Sequence, residues 1–308
     1  MSILIAIAAA VAVIALGVVA IFIGFRRRFL GRLRAHPAFT PRIPPTWDGA
    51  FEYASSDTAE LSEFRETYDL SSIAGSGTEL ERIVRLMTWV HGLTRHARNP
   101  SVPDDMSGLN LARLALEGKR INCWMYATIL SDALASLGFA SRILHLWPYP
   151  EKPGESHLVT AVYSTTYAKW LMIDPDMCAY LMDEAGTPLG ADEVRERLVR
   201  GRPLHVADSV HLAGVSWIGR PLLKRLYLWY LSKNLFRFDC PGVSVPGYES
   251  RRSGRTYVQL LPDGYHDELL AEPRVTERGN SIFYIRDPEI FWQPPKAGPD
   301  ARSSASPV

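Results

Sequence analysis

The sequence predicts an α+β domain, with helices first and an antiparallel sheet after them, preceded by one transmembrane helix. Three observations carry this. An uninterrupted apolar run fills residues 3–25. Three segments between residues 78 and 137 space their apolar residues as helices do. The segments beyond 141 are short, β-branched or aromatic, and bounded by turn residues. The composition suits a folded body, since 47% of the 308 residues are hydrophobic and 22% charged. The net charge of +1 conceals two regions. Five arginines stand between Arg26 and Arg34 with no acid before them, so the remainder is net acidic by about four charges, and no nucleic-acid partner is indicated. Cys123, Cys178 and Cys240 are too few and too far apart for a disulfide framework or a cysteine pair on a metal. No cofactor and no metal is expected.

As a helix, residues 3–25 rise about 34 Å at roughly 1.5 Å per residue, enough to span a bilayer. The basic cluster follows the apolar run, the reverse of a cleaved signal peptide, and reads as a stop-transfer flank. The positive-inside rule then places everything beyond Arg26 in the cytoplasm. This reading is a single-pass membrane protein whose N-terminal helix takes the lipid bilayer as partner. Residues 26–47 form a basic flank and a linker with four prolines, which resists helix. The domain proper occupies 48–293, and 294–308, rich in Pro, Ala and Ser, reads as a disordered tail.

Within the domain, Thr78 to His91 presents Leu80, Ile83, Val84, Met87 and Val90 on one helical face, and Thr78 with Glu81 fits a capping box. Leu109 to Glu117 repeats the spacing and stops at Gly118. Cys123 to Leu137 is a third helix, with Asn122 as N-cap and Gly138 at its end. Strands follow at Arg142 to Leu146, Leu158 to Tyr163, Lys169 to Ile173, Arg255 to Leu261 and Ser281 to Ile285. Pro221 to Phe238 is apolar with interspersed Lys and Arg. It reads either as a buried helix with a basic outer edge or as an interfacial helix on anionic lipid, and its charges exclude a second span.

Cys123 stands where a helix starts, and the unpaired N–H groups and partial positive charge there stabilise an anionic sulfur or an oxyanion. Against this stands the common role of cysteine as a small buried hydrophobe. If the hairpin turns near Thr165 and Thr166, His157 and Asp174 face each other across it with Cβ atoms about 5 Å apart, so that a carboxylate fixes an imidazole tautomer. A one-residue slip would undo this. Together the three supply nucleophile, base and orienter. His91 and His96, five apart, do not share a helical face and do not suggest zinc. His145 has a structural role or reaches the cleft.

These segments resemble the transglutaminase-like superfamily. Asn122 to Leu146 (NCWMYATILSDALASLGFASRILHL) is similar to its cysteine helix, with Arg142 as the arginine that opens the next strand. SHLVTAVY from Ser156 and KWLMIDPD from Lys169 resemble its histidine strand and its tryptophan–acid strand. The resemblance covers about 80–176. It implies a papain-like core, with Cys123 as nucleophile, His157 as general base and Asp174 as orienting acid. The calcium sites and extra β-domains of eukaryotic members have no counterpart. No residue is matched to their oxyanion-stabilising tryptophan, because Trp89 falls in an amphipathic helix. Trp124, beside the cysteine, walls an acyl pocket or is simply buried. The resemblance implies a thiol enzyme acting on protein or peptide amides through a thioester, hydrolytic (protease or deamidase) rather than cross-linking. The alternative is a non-catalytic, membrane-tethered module that uses the same cleft for binding.

Overall fold

Capping decides where the first helices begin. The Thr78 side chain accepts from the Glu81 amide while the Glu81 carboxylate accepts from the Thr78 amide, closing the predicted capping box. The computed structural model describes residues 24, 26–41, 47, 49–150, 155–211 and 219–296. Its helices are α1 (residues 26–35), α2 (Ala59–Thr67), α3 (Leu70–Ala74), α4 (Glu79–Gly92), α5 (Gly108–Leu116), α6 (Cys123–Ser136), α7 (Ala191–Arg200), α8 (Arg220–Asn234) and α9 (Pro288–Phe291). Its strands are β1 (Glu52–Tyr53), β2 (Ser141–Trp147), β3 (His157–Ser164), β4 (Lys169–Asp174), β5 (Ala179–Met182), β6 (His205–Val206), β7 (Arg237–Pro241), β8 (Val243–Ser244), β9 (Thr256–Leu260), β10 (Arg274–Val275) and β11 (Ser281–Ile285).

Nine strands form one sheet in the order β10-β11-β9-β7-β2-β3-β4-β5-β6, antiparallel except for the β9–β11 pair. This mixed helix and strand architecture with one large sheet is consistent with a papain-like core, while α7, α8 and α9 fall among or after the strands rather than before them. Helices α2 to α6 build one apolar core against the sheet, and α7, α8 and α9 close a second core on the other side. Alternation along β4 divides them, with Leu171 and Ile173 in the first and Trp170 and Met172 in the second. Helix α6 is buried on nearly every side, as befits a helix apolar all round. Thr160 of β3 donates its hydroxyl to the Ala127 carbonyl at 3.0 Å and so ties the sheet to this helix.

A second tie fixes α5 on α6. The Gly108 amide donates to Asp132 Oδ2 at 2.7 Å, and a Cβ at Gly108 would come within 2.7 Å of the Asp132 Cβ, so only glycine fits. Burial pushes the Asp132 carboxyl up to about 7. Below about pH 4 both native and unfolded states carry the proton. Between about 4 and 7 only the unfolded state has lost it, so stability falls with rising pH, by at most about 4 kcal/mol over the full gap. Asp132→Asn keeps an acceptor for Gly108 and is expected to be more stable than wild type by on the order of 2 kcal/mol or more at pH 8, the advantage shrinking toward pH 5. Urea unfolding at several pH values measures it, and a difference independent of pH refutes the assignment.

The N-terminal end requires a correction. No helix among the described residues is long and apolar enough to cross a membrane, so the transmembrane helix, the single-pass arrangement, the bilayer as partner and the membrane localisation are not supported. Apart from Gly24, residues 3–25 lie outside the described residues. The flank expected at lipid headgroups instead forms α1 and rests on the folded body. Leu33 is buried in the second core, Arg32 donates to the Tyr149 carbonyl, and Arg34 Nε donates to Val199 O at 3.1 Å. The proline run continues this docking, since buried Arg195 donates to the carbonyls of His36 and Pro37. Residues 297–308, most of the expected tail, are also outside the described residues.

The segment read as one helix from Pro221 to Phe238 divides in two. Helix α8 ends at Asn234, and Arg237 opens β7, which pairs with β2 and β9 and is buried throughout. Leu223, Tyr227 and Leu231 of α8 are buried, in keeping with the buried-helix reading.

Candidate active site

Cys123 is the first residue of α6. Asn122, extended at φ −104° and ψ 177°, caps the helix by accepting from the Met125 amide at 3.1 Å. The Met125 amide is taken by this cap, whereas the amides of Cys123 and Trp124, the first two helical residues, have no partner inside the helix. Cys123 is half-buried and free.

His157 opens β3 and Asp174 closes β4. The hairpin register pairs Thr160 with Ile173 and Ser164 with Lys169, two residues away from the expected pairing, because the turn takes four residues rather than two. Asp174 therefore sits diagonally from His157. A shift of two preserves the face, so the pair survives, and His157 Nε2 lies 2.8 Å from Asp174 Oδ2. Both side chains are fully buried. The Tyr227 hydroxyl donates to the same carboxylate oxygen at 3.0 Å, and the Met177 amide donates to the other at 3.0 Å. The edge of the Tyr230 ring meets the His157 ring at 5.1 Å and 70°.

With Nε2 engaged by a carboxylate, the His157 Nδ1 atom is the free one. It is buried, has no partner in full hydrogen-bond geometry and faces the Cys123 thiol. Burial opposes a charge on His157, but Asp174, Tyr230 and Cys123 together hold its pKa well above the usual imidazole value. Burial and then Asp174 raise Tyr227 well above the phenol range, so its proton stays to donate. Tyr230 is pushed up to about 12, mainly by burial.

A second carboxylate approaches the thiol. Ligand atoms of Cys123, His157 and Asp176 lie within 4.8 Å of one another. Asp176 Oδ1 pairs with His96 Nδ1 at 2.9 Å, while Oδ2 is buried without a partner. Tyr227, Tyr230, Asp176 and His96 were not anticipated at the site. The sequence carries a signal for three of them, in tyrosines three apart on one face of α8 and the repeated acid in Asp174-Pro175-Asp176, and none for His96.

Cys123 opens into a cleft of about 790 Å³ whose far side belongs to β2, β7 and β9. Trp124 lines it next to the thiol, and His145, its ring tilted 33° against Trp147 at 4.0 Å, lies 3.6 Å from Asp239 in its wall. Trp89 is elsewhere, packed against Phe64 and Tyr68. His91 accompanies the Pro175 carbonyl at 3.1 Å. Cys178 and Cys240 are buried thiols, which burial raises, the second to about 12.

Residues 67–175 match the sequence profile of the transglutaminase-like superfamily. Among curated proteins there is no match. Among solved structures, the chain is similar to a candidate cysteine protease from Cytophaga hutchinsonii determined at 1.9 Å, with 12% identity and a TM-score of 0.31 over 47% of this chain and 50% of that one. The chain thus spans about half the length of that protein. Residues 67–175, which contain α4 to α6, β2 to β4 and the Cys-His-Asp arrangement, are thus the part of the chain that is similar to the transglutaminase-like superfamily.

Proposed function

We propose that this protein is a thiol enzyme that opens protein or peptide amides through a thioester on Cys123, with His157 as general base and acid and Asp174 as its orienting partner. The observation that carries this reading is the buried His157–Asp174 pair at 2.8 Å, its remaining ring nitrogen turned toward a half-buried thiol at a helix N-terminus. His157 Nδ1 takes the thiol proton as sulfur attacks the carbonyl carbon. The amides at the start of α6 are placed to hold the developing oxyanion. The imidazolium then protonates the leaving amine, and water, activated by the same nitrogen, cleaves the thioester. Hydrolysis is favoured over cross-linking on the strength of the resemblance.

An amide-bearing, thiol-reactive probe is expected to label the wild-type protein at Cys123 and to leave Cys123→Ala unlabelled. Equal labelling of the two proteins removes the assignment. Incubating glutamine-containing peptides with and without a primary amine, and weighing the products, then separates backbone cleavage, deamidation and amine transfer.

A further inference from the structure

We infer that Cys123, His157 and Asp176 form a three-ligand site for a divalent cation of the zinc type, and that the bound cation blocks the thiol. This deepens the proposed function by giving the same thiol a regulator. The acyl chemistry accounts for His157 and Asp174 but has no use for Asp176, whose carboxylate lies at the same small space. Two polar atoms there are buried, Asp176 Oδ2 without a partner and His157 Nδ1 with only the thiol beside it, and both residues are more than nine-tenths buried. Leaving a carboxylate oxygen unpaired beside a sulfur that ionises is costly in a low dielectric, and a cation shared by the two removes that cost.

The donor set selects the cation. One sulfur, one imidazole nitrogen and one carboxylate oxygen suit zinc, whereas calcium and magnesium take oxygen ligands. The three donor atoms lie within 4.8 Å of one another, and a tetrahedral zinc with bonds of about 2.0 to 2.3 Å needs them about 3.5 Å apart. Rotation of the Cys123 side chain covers a difference of this size. The outer partners are already in place. His157 gives its other nitrogen to Asp174, the carboxylate–histidine arrangement that orients imidazole ligands toward zinc, and Asp176 Oδ1 is held by His96 at 2.9 Å. The cleft, lined by Cys123, Asp176 and His96, supplies an entry path. On binding, a zinc–sulfur bond replaces the S–H bond of Cys123, the thiol proton passes to solvent, and no electron is transferred.

The test uses the full chain, zinc as the probe and alkylation of Cys123 by iodoacetamide read peptide by peptide, so that Cys178 and Cys240 do not enter. Competition with a chromophoric chelator is expected to give one zinc per chain, and zinc to slow Cys123 alkylation at least tenfold, while calcium and magnesium at the same concentration do not. Protection is expressed as the ratio of rates with and without zinc for each variant. Asp176→Asn should need about tenfold or more zinc for half-protection, and His96→Gln an intermediate concentration. Circular dichroism confirms that each variant is folded. Unprotected Cys123, or the same half-protection in Asp176→Asn as in wild type, overturns the inference. Neither readout depends on amide turnover. A failed probe-labelling experiment with intact zinc protection removes only the acyl chemistry, and labelling without zinc protection removes only the metal site.

Discussion

Asp174→Asn is expected to leave a folded protein whose amide turnover falls by about 10³- to 10⁴-fold, with Cys123 alkylation near neutral pH slowed as well. The carboxylate accepts three hydrogen bonds, from His157 and Tyr227 on Oδ2 and from the Met177 amide on Oδ1. An asparagine can supply only one oxygen. If that oxygen stays with the Met177 amide, its NH₂ faces His157 Nε2, which must then accept. The proton of a neutral imidazole moves to Nδ1, where it faces the sulfur, and the base is lost. The volume and most of the polar pairing persist, so stability changes little compared with Asp174→Ala, which strands three buried partners and is expected to cost on the order of 3–5 kcal/mol. Turnover on a peptide substrate, nitrogen chemical shifts of the His157 ring and a thermal melt measure the three quantities. Unchanged turnover in a folded Asp174→Asn excludes Asp174 as the orienting group.

That this pair could be read from the sequence at all rests on the two-residue period of strands. The turn was placed too early because its cause is remote. Glu79, the first residue of α4, accepts from the amides of Thr165 and Thr166 and from the Ser164 hydroxyl, which holds a four-residue loop with Ala168 at φ 51°. No local pattern reports a cap arriving from some 85 residues away, yet an error of two leaves the same side chains on the same face. Helices α4, α5 and α6 were legible because their caps are local: Thr78 with Glu81, and Asn122 with Met125. By contrast, α8 and β7 form one apolar stretch whose division is set by pairing with β2 and β9, a tertiary cause that also places Tyr227 and Tyr230 at the site. The same limit applies to Asp176, whose partner His96 lies 80 residues earlier in the chain, beyond the end of α4. At the N-terminus, the arginines of α1 have two partners consistent with their charge, headgroups or backbone carbonyls, and composition does not distinguish them.

Arg142→Ala is expected to cost about 3 kcal/mol, and Arg142→Met at most half of that. Arg142, the second residue of β2, has no exposed surface, and its guanidinium lies 4.4 Å from the Trp170 ring, 4.6 Å from Phe51, 4.9 Å from Phe291 and 5.3 Å from Trp292. Nη2 donates to the Phe291 carbonyl at 2.8 Å, Nε and Nη1 make no hydrogen bond of full geometry although the Tyr53 hydroxyl is near, and no carboxylate among the described residues pairs with it. Two effects compete. Desolvating the cation costs several kcal/mol, which its removal returns, while stacking on desolvated rings is worth about 2 kcal/mol or more and a vacated slot of this size costs about 2–5 kcal/mol. Methionine refills the slot and carries no charge, so the gap between the two variants isolates packing from cation attraction. Urea unfolding with an unchanged m-value reads the energies, and proteolysis at 288–296 reads whether α9 has lost its hold on the sheet. Strand β2 pairs Leu146 with His157, so slack in β2 reaches the imidazole and Cys123 reactivity should fall together with stability in Arg142→Ala. An alanine variant within about 0.5 kcal/mol of wild type shows that the box is dispensable. A methionine variant as damaged as the alanine one assigns the stabilisation to the charge and its bond to Phe291 rather than to the space it fills.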